Sequence, residues 1–281
     1  MRPRPAYSPA PITALLLAGA LSFSSFAQPM PDTIPTSERS QAVTDQVAPR
    51  LSEELSERSL LMGAPIYLRI FKEEHELELW VESAEGYQLF RNYPICDVSG
   101  IVGPKVRQGD WQAPEGFYQV SARWMNPNSN FHLSFNIGYP NRYDRALGRT
   151  GGNIMVHGGC ESRGCFAMTD EAMEEIYVLA EAALRHSQRS FPVHVFPFRM
   201  TEDNMALNAH RRWVDFWQTL KPAHDWFEQH GHPPVVAVTR RGYRLDSPTH
   251  SGPVRVVRVD EPSSDRGYYP GNYAEGDVSP R

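Results

Sequence analysis

GGNIMVHGGCESRGCFAMTD, residues 151 to 170, is the stretch on which the reading of this chain turns. Ile154, Met155 and Val156 form a short apolar run with the character of a buried strand, and it delivers His157 into a pair of glycines. Small and polar residues then turn the chain to Gly164-Cys165. Phe166 to Met168 make a second apolar piece, and Thr169-Asp170 has the form of a helix start. A histidine and a cysteine eight positions apart, both ending apolar runs beside glycine, suggest a thiol nucleophile and its base. Attack requires the thiolate, and an imidazole within hydrogen-bond reach can take the proton. Glycines at both residues let a carbonyl approach the backbone and leave amide N–H groups for a developing oxyanion.

His157-Gly158 followed by Ser162-Arg163-Gly164-Cys165 resembles the signature of the L,D-transpeptidase catalytic (YkuD-type) family, His-Gly, a spacer, then Ser-x-Gly-Cys. The resemblance runs from about Pro65 to Phe198. The usual family pattern has an arginine two residues after the nucleophile, where this chain has Ala167. Cys160 and the Cys165-Phe166-Ala167-Met168 ending resemble one Gram-negative branch, whose members either transpeptidate murein or hydrolyse the bond that joins a lipoprotein to it. The resemblance implies a mainly β (α+β), sandwich-like domain with flanking helices and a small C-terminal helical extension. It also implies a transferase without cofactor or metal, acting on diaminopimelate-containing peptidoglycan stem peptides, with a murein-linked lipoprotein as a further candidate partner. Hydrolysis of the same substrate, and a non-catalytic murein-binding module on the same fold, are the alternatives.

The N-terminus is expected to be a secretory signal, with Arg2 and Arg4 before the apolar Ile12–Leu21 and a Ser25-Phe26-Ala27 cleavage site. That apolar run is too short for a permanent span, so export to the periplasm is expected. A formal charge of −5 gives no reason to expect nucleic acid as a partner.

The expected organisation is a signal peptide over 1–27, a flexible leader and short helix over 28–60, a catalytic domain over 61–198, a helical extension over 199–246 and a disordered tail over 247–281. The polar, proline-spaced 29–49 reads as leader, and Leu51, Leu55 and Met62 as the short helix. Strands are expected over 66–71, 77–81, 87–93, 117–120, 131–137 and 191–198, with loops at 99–114 and 138–151. Met173, Ile176, Tyr177, Ala180 and Leu184 space a helix after Asp170. Beyond 198, one helix over 202–220, a second starting at Pro222 and a hairpin over 235–245 are expected. Trp213, Trp217 and Trp226 read as core rather than as a sugar-stacking surface, and His224, His230 and His232 as solvent-facing.

Within the site, Cys165 is expected as nucleophile, His157 as general base and acid, and the Gly164 and Cys165 amides as the oxyanion hole. His132 is a candidate to orient substrate or His157. Arg163, Ser162, Gly158 and, from the long loop, Arg149 are candidates for substrate contact, Arg163 because a guanidinium binds a carboxylate bidentately. Cys160 leaves three readings open: a redox-switch disulfide to Cys165, a disulfide to Cys96, or a bystander in the substrate loop. His157, Cys160 and Cys165 could instead ligate a hydrolytic zinc, although their spacing follows no familiar zinc pattern.

Overall fold

The computed structural model describes residues 33–239 and 242–246, so the expected signal peptide and tail lie outside the described residues. Helix α1 spans Glu38–Glu57, its first turn closed by a capping box between Ser37 and Ser40. Val43, Val47, Leu51 and Leu55, four apart, are its buried stripe. The structure thus differs from the expected leader: the helix starts well before Arg50 and runs through Pro49. Burial of the stripe outweighs the lost backbone hydrogen bond at the proline.

Five strands build one sheet in the order β3-β2-β1-β10-β5. Of these, β1 (Ile66–Phe71), β2 (Glu76–Ser83) and β3 (Gly86–Pro94) form an antiparallel meander. Strand β10 (Ser190–Phe196) runs parallel to β1, and β5 (Gly116–Ser121) closes the edge antiparallel to β10. A second sheet of short strands has the order β4-β9-β8-β7-β6. They are β4 (Asp97–Val98), β6 (Met125–Asn126), β7 (Ser134–Asn136), β8 (Met155–His157) and β9 (Phe166–Ala167). Helix α2 (Arg142–Ala146) interrupts the expected loop over 138–151. Helix α3 (Asp170–His186) follows β9 directly, capped by the Thr169 hydroxyl, with Asp170 and Glu171 in its first turn and Arg185 and His186 in its last, as the helix dipole favours.

One apolar core joins Leu68, Ile70, Val193 and Val195 of the first sheet, Phe135, Val156 and Phe166 of the second, Met173, Ile176 and Tyr177 of α3, and the stripe of α1. The second sheet is therefore a platform seated on α3 and the larger sheet, and it carries the sequence motif. The fold is α+β, as expected, and no helix among the described residues is long and apolar enough to cross a membrane.

A second core, including Phe71, Phe196, Phe198, Phe216, Trp217 and Leu220, fixes the C-terminal segment to the larger sheet. Here the helices are redistributed: α4 is only Glu202–Leu207, and α5 runs Val214–His230 with Pro222 inside it. The buried stripe Phe216, Trp217, Leu220, Ala223, His224 and Phe227 crosses the proline without a break, which is why the helix does not end there. Trp217 is fully buried and donates to Glu115 Oε2 at 2.8 Å, a core role. His224, expected at the surface, is buried and accepts from the Met200 amide. The hairpin of β11 (Val236–Thr239) and β12 (Gly242–Leu245) completes this layer.

Candidate active site

Strands β8 and β9 run parallel, with Val156 beside Phe166 and His157 beside Ala167. Side chains alternate between faces, and residues in register share one. Val156 and Phe166 enter the core; His157 and Ala167 take the other face, and the same register carries Cys165 to that face beside Met155. The contact is direct, since the Met155 amide donates to Cys165 Sγ at 3.4 Å. The predicted nucleophile and base thus occupy one face of two hydrogen-bonded strands, offset by two residues. The link between them is tight. Gly164 has φ +110°, open only to glycine, and a Cβ on Gly158 would come within 2.4 Å of Asp170 Oδ1.

His157 is buried, and its Nδ1 lies 2.6 Å from the Gly158 carbonyl oxygen. A carbonyl only accepts, so Nδ1 carries the proton and Nε2 the lone pair. The Phe131 ring covers the imidazole at a centroid distance of 4.8 Å. Burial holds His157 below the ordinary imidazole range, partly opposed by the Gly158 hydrogen bond. Burial likewise pushes the Cys165 thiol up, opposed by the Met155 amide and the charge of Lys105. The resting pair at neutral pH is therefore thiol and neutral imidazole, with the thiol directed at the Asn153 carbonyl oxygen, 3.7 Å away.

Other expected residues take different places. Ser162 Oγ accepts from the Gly164 amide at 3.3 Å and the Cys165 amide at 3.1 Å, donates to the Cys165 carbonyl and receives the Ser99 hydroxyl. The two amides assigned to an oxyanion hole are thus already engaged by a protein hydroxyl, and Ser162 is the clamp of the turn. His132 does not meet His157. It sits at φ 59° ahead of β7, and its Nε2 bonds Glu174 Oε1 at 2.8 Å. Arg149 is buried, pairs with Asp144 at 2.8 Å and lies over the Tyr143 and Phe216 rings. That is a core position, which corrects its expected role in substrate contact. Arg163 is exposed beside the site, its guanidinium 5.7 Å from the ring of the exposed Trp111.

Cys160 is joined to Cys96 in a disulfide, leaving Cys165 as the free thiol. Of the three readings of Cys160 this selects the second, and it removes a ligand from the zinc alternative. Lys105 escaped the sequence reading. It is buried, donates to the Arg107 carbonyl at 3.0 Å and pairs with Asp110, close enough for its charge to act on Cys165. A lysine within an aperiodic glycine- and proline-rich loop has no local mark that would single it out.

Residues 66–195 match the family described as YkuD, L,D-transpeptidase catalytic domain. The chain is 47% identical over 188 residues to the Escherichia coli K12 protein named "Putative L,D-transpeptidase YafK", covering 67% of this chain and 76% of that one. Among solved structures it is similar to the helical cell shape determining protein Pgp2 from Campylobacter jejuni, with 21% identity, a TM-score of 0.39, and 61% of this chain and 63% of that chain covered. It is also similar to Mycobacterium tuberculosis L,D-transpeptidase 1, with 11% identity, a TM-score of 0.25, and coverage of 47% and 61%.

Proposed function

The chain belongs to the L,D-transpeptidase family, and from that premise we propose that it is a cysteine acyltransferase of the cell wall, acting in the periplasm on diaminopimelate-containing stem peptides. His157 Nε2 takes the Cys165 proton as the sulfur attacks the peptide carbonyl on the L-centre side of diaminopimelate. The tetrahedral oxyanion collapses, the C–N bond breaks, and the imidazolium returns its proton to the departing amine. The acyl group is left as a thioester on Sγ. An incoming amine, deprotonated by His157, then gives the cross-link. Because both partners rest neutral, proton transfer accompanies attack rather than preceding it.

The observation that carries this reading is the placement of Cys165 and His157 on one face of paired parallel strands, with Nδ1 tied to the Gly158 carbonyl so that the basic nitrogen is Nε2. Water as the second acceptor would make the protein a hydrolase, releasing a lipoprotein from its diaminopimelate anchor; Ala167 and Cys160, shared with that branch in the sequence resemblance, favour keeping this outcome in view. The test is digestion of purified murein sacculi, with and without bound lipoprotein, by the wild type and Cys165→Ala. Product masses separate cross-linking from release, and the mass of the intact protein reveals the thioester. Unchanged product from Cys165→Ala would refute the nucleophile. No change in the sacculi with either protein would instead favour a murein-binding module.

A further inference from the structure

A cavity of about 300 Å³ lies outside the Cys165–His157 site and shares no residue with it. Its walls come from the edge strand β5, the connection 138–145 and the β11–β12 hairpin. The hairpin lies beyond residues 66–195, so the C-terminal segment supplies a wall that the family domain lacks. Phe117, Trp124 and Tyr243 give aromatic surface, and Val236 and Val238 an aliphatic side. Such a mostly apolar hollow with a few convergent polar groups, at the small end of ligand-site volumes, is the usual form of a binding pocket.

The charge lining it is one-sided. Arg123, Arg142 and Arg145 border the cavity and no acidic residue does, although the chain as a whole carries −5. Among the described residues none of the three pairs with a carboxylate: Arg123 lies 5.3 Å from the Trp124 ring centre, and Arg145 donates to the Pro140 carbonyl. In the wall, His194 is buried with Nδ1 committed to the Tyr67 hydroxyl at 2.7 Å, and burial lowers it to about 3, so it stays neutral. Unpaired guanidiniums call for an anion, and carboxylates match their fork. Strand β5 ends its sheet, and an edge strand offers main-chain donors and acceptors to a peptide.

We infer that this cavity is a second binding site, for a short peptide bearing carboxylates, held by Arg123, Arg142 and Arg145 around the aromatic floor. The source of that peptide, a stem of the same polymer, rests on the reading given under Proposed function; the site does not depend on Cys165. A polymer held by one stem here would present a neighbouring stem to the thiol.

The test uses full-length Cys165→Ala protein, so that turnover plays no part, and calorimetric titration with N-acetylated L-Ala-γ-D-Glu-diaminopimelate tripeptide, its carboxamide form and inorganic phosphate. The tripeptide is expected to bind. Arg123→Gln and Arg142→Gln, both at exposed positions, should each weaken it about tenfold, the worth of one charge-assisted contact. Val238→Trp, which fills the hollow, should abolish binding while thermal stability is retained. Equal binding of the carboxamide form, indifference to all three substitutions, or phosphate binding as tightly as the tripeptide would overturn the assignment. Loss of this binding with thioester formation intact in the Cys165 protein sinks the second site alone; binding without any thioester sinks the acyl-transfer reading alone.

Discussion

Replacing both Cys96 and Cys160 by serine should cost this fold about 4 kcal/mol. The disulfide joins positions 64 residues apart, and cross-linking a loop of about that length removes roughly 14 cal/mol/K from the unfolded chain, or ~4 kcal/mol at about 25 °C. Both cysteines are exposed, so serine leaves no buried hydroxyl and the loss is chiefly the freedom regained by the unfolded chain. The folded site should hold its shape. The Cys96 amide still donates to the Ala167 carbonyl at 2.9 Å, and the Cys160 amide to the Met168 carbonyl at 3.3 Å, on either side of the β8–β9 pair. Urea unfolding of oxidised wild type and the double variant measures the difference. The variant should show a lower midpoint and a larger m-value, because its unfolded state exposes more surface. Thioester formation per folded molecule should change little. A stability loss below about 1 kcal/mol with an unchanged m-value would refute the entropic reasoning, and an intact stability with lost acylation would show that the bond serves the site rather than the fold.

Phe131→Ala uncovers the His157 ring, so the imidazole should move up toward its ordinary value of 6.5, as read by NMR titration. Since burial keeps wild-type His157 neutral below that value, acylation by the wild type should persist to lower pH than in Phe131→Ala; coincident acid limbs would contradict the assigned cause. Arg149→Met strands Asp144 in the core and should lower stability by roughly 3–5 kcal/mol with KM for the stem peptide unchanged. A raised KM with normal stability would return Arg149 to the substrate site. His194, lowered by burial to about 3 against an ordinary 6.5, is protonated first in the unfolded chain. Its contribution is complete above pH 6.5 and is lost as pH falls toward 3. His194→Gln should therefore flatten the fall in urea stability between neutral and acid pH, and an unaltered slope would count against a buried neutral imidazole.

What could be read from the sequence was what local pattern enforces. The 66–71 and 191–198 runs, the Thr169 cap and the His157 and Cys165 positions each announce themselves by alternation, capping chemistry or glycine spacing, and each takes its place in the fold. Helix α1 and helix α5 show where that reading gave out. Val43 and Val47 already carried the four-residue spacing, yet Pro49 looked like a boundary, as Pro222 did in the later helix. In both, the stripe continues on the far side of the proline, so continuity of the buried face was the better guide than the breaker residue. The polar residues failed for a different reason. Arg149, His132 and Ser162 were assigned by nearness in sequence to the motif, but a polar side chain is placed by its partner, and Asp144, Glu174 and the Gly164 and Cys165 amides are revealed only in three dimensions. Cys160 obeys the same rule, because its pairing depends on a Cα separation, here 5.3 Å to Cys96, that no spacing encodes. The Cys165–His157 pair is the informative exception. Two adjacent parallel strands convert a fixed interval in sequence into a fixed offset across a sheet, and so the chemistry could be read before the coordinates while its surroundings could not.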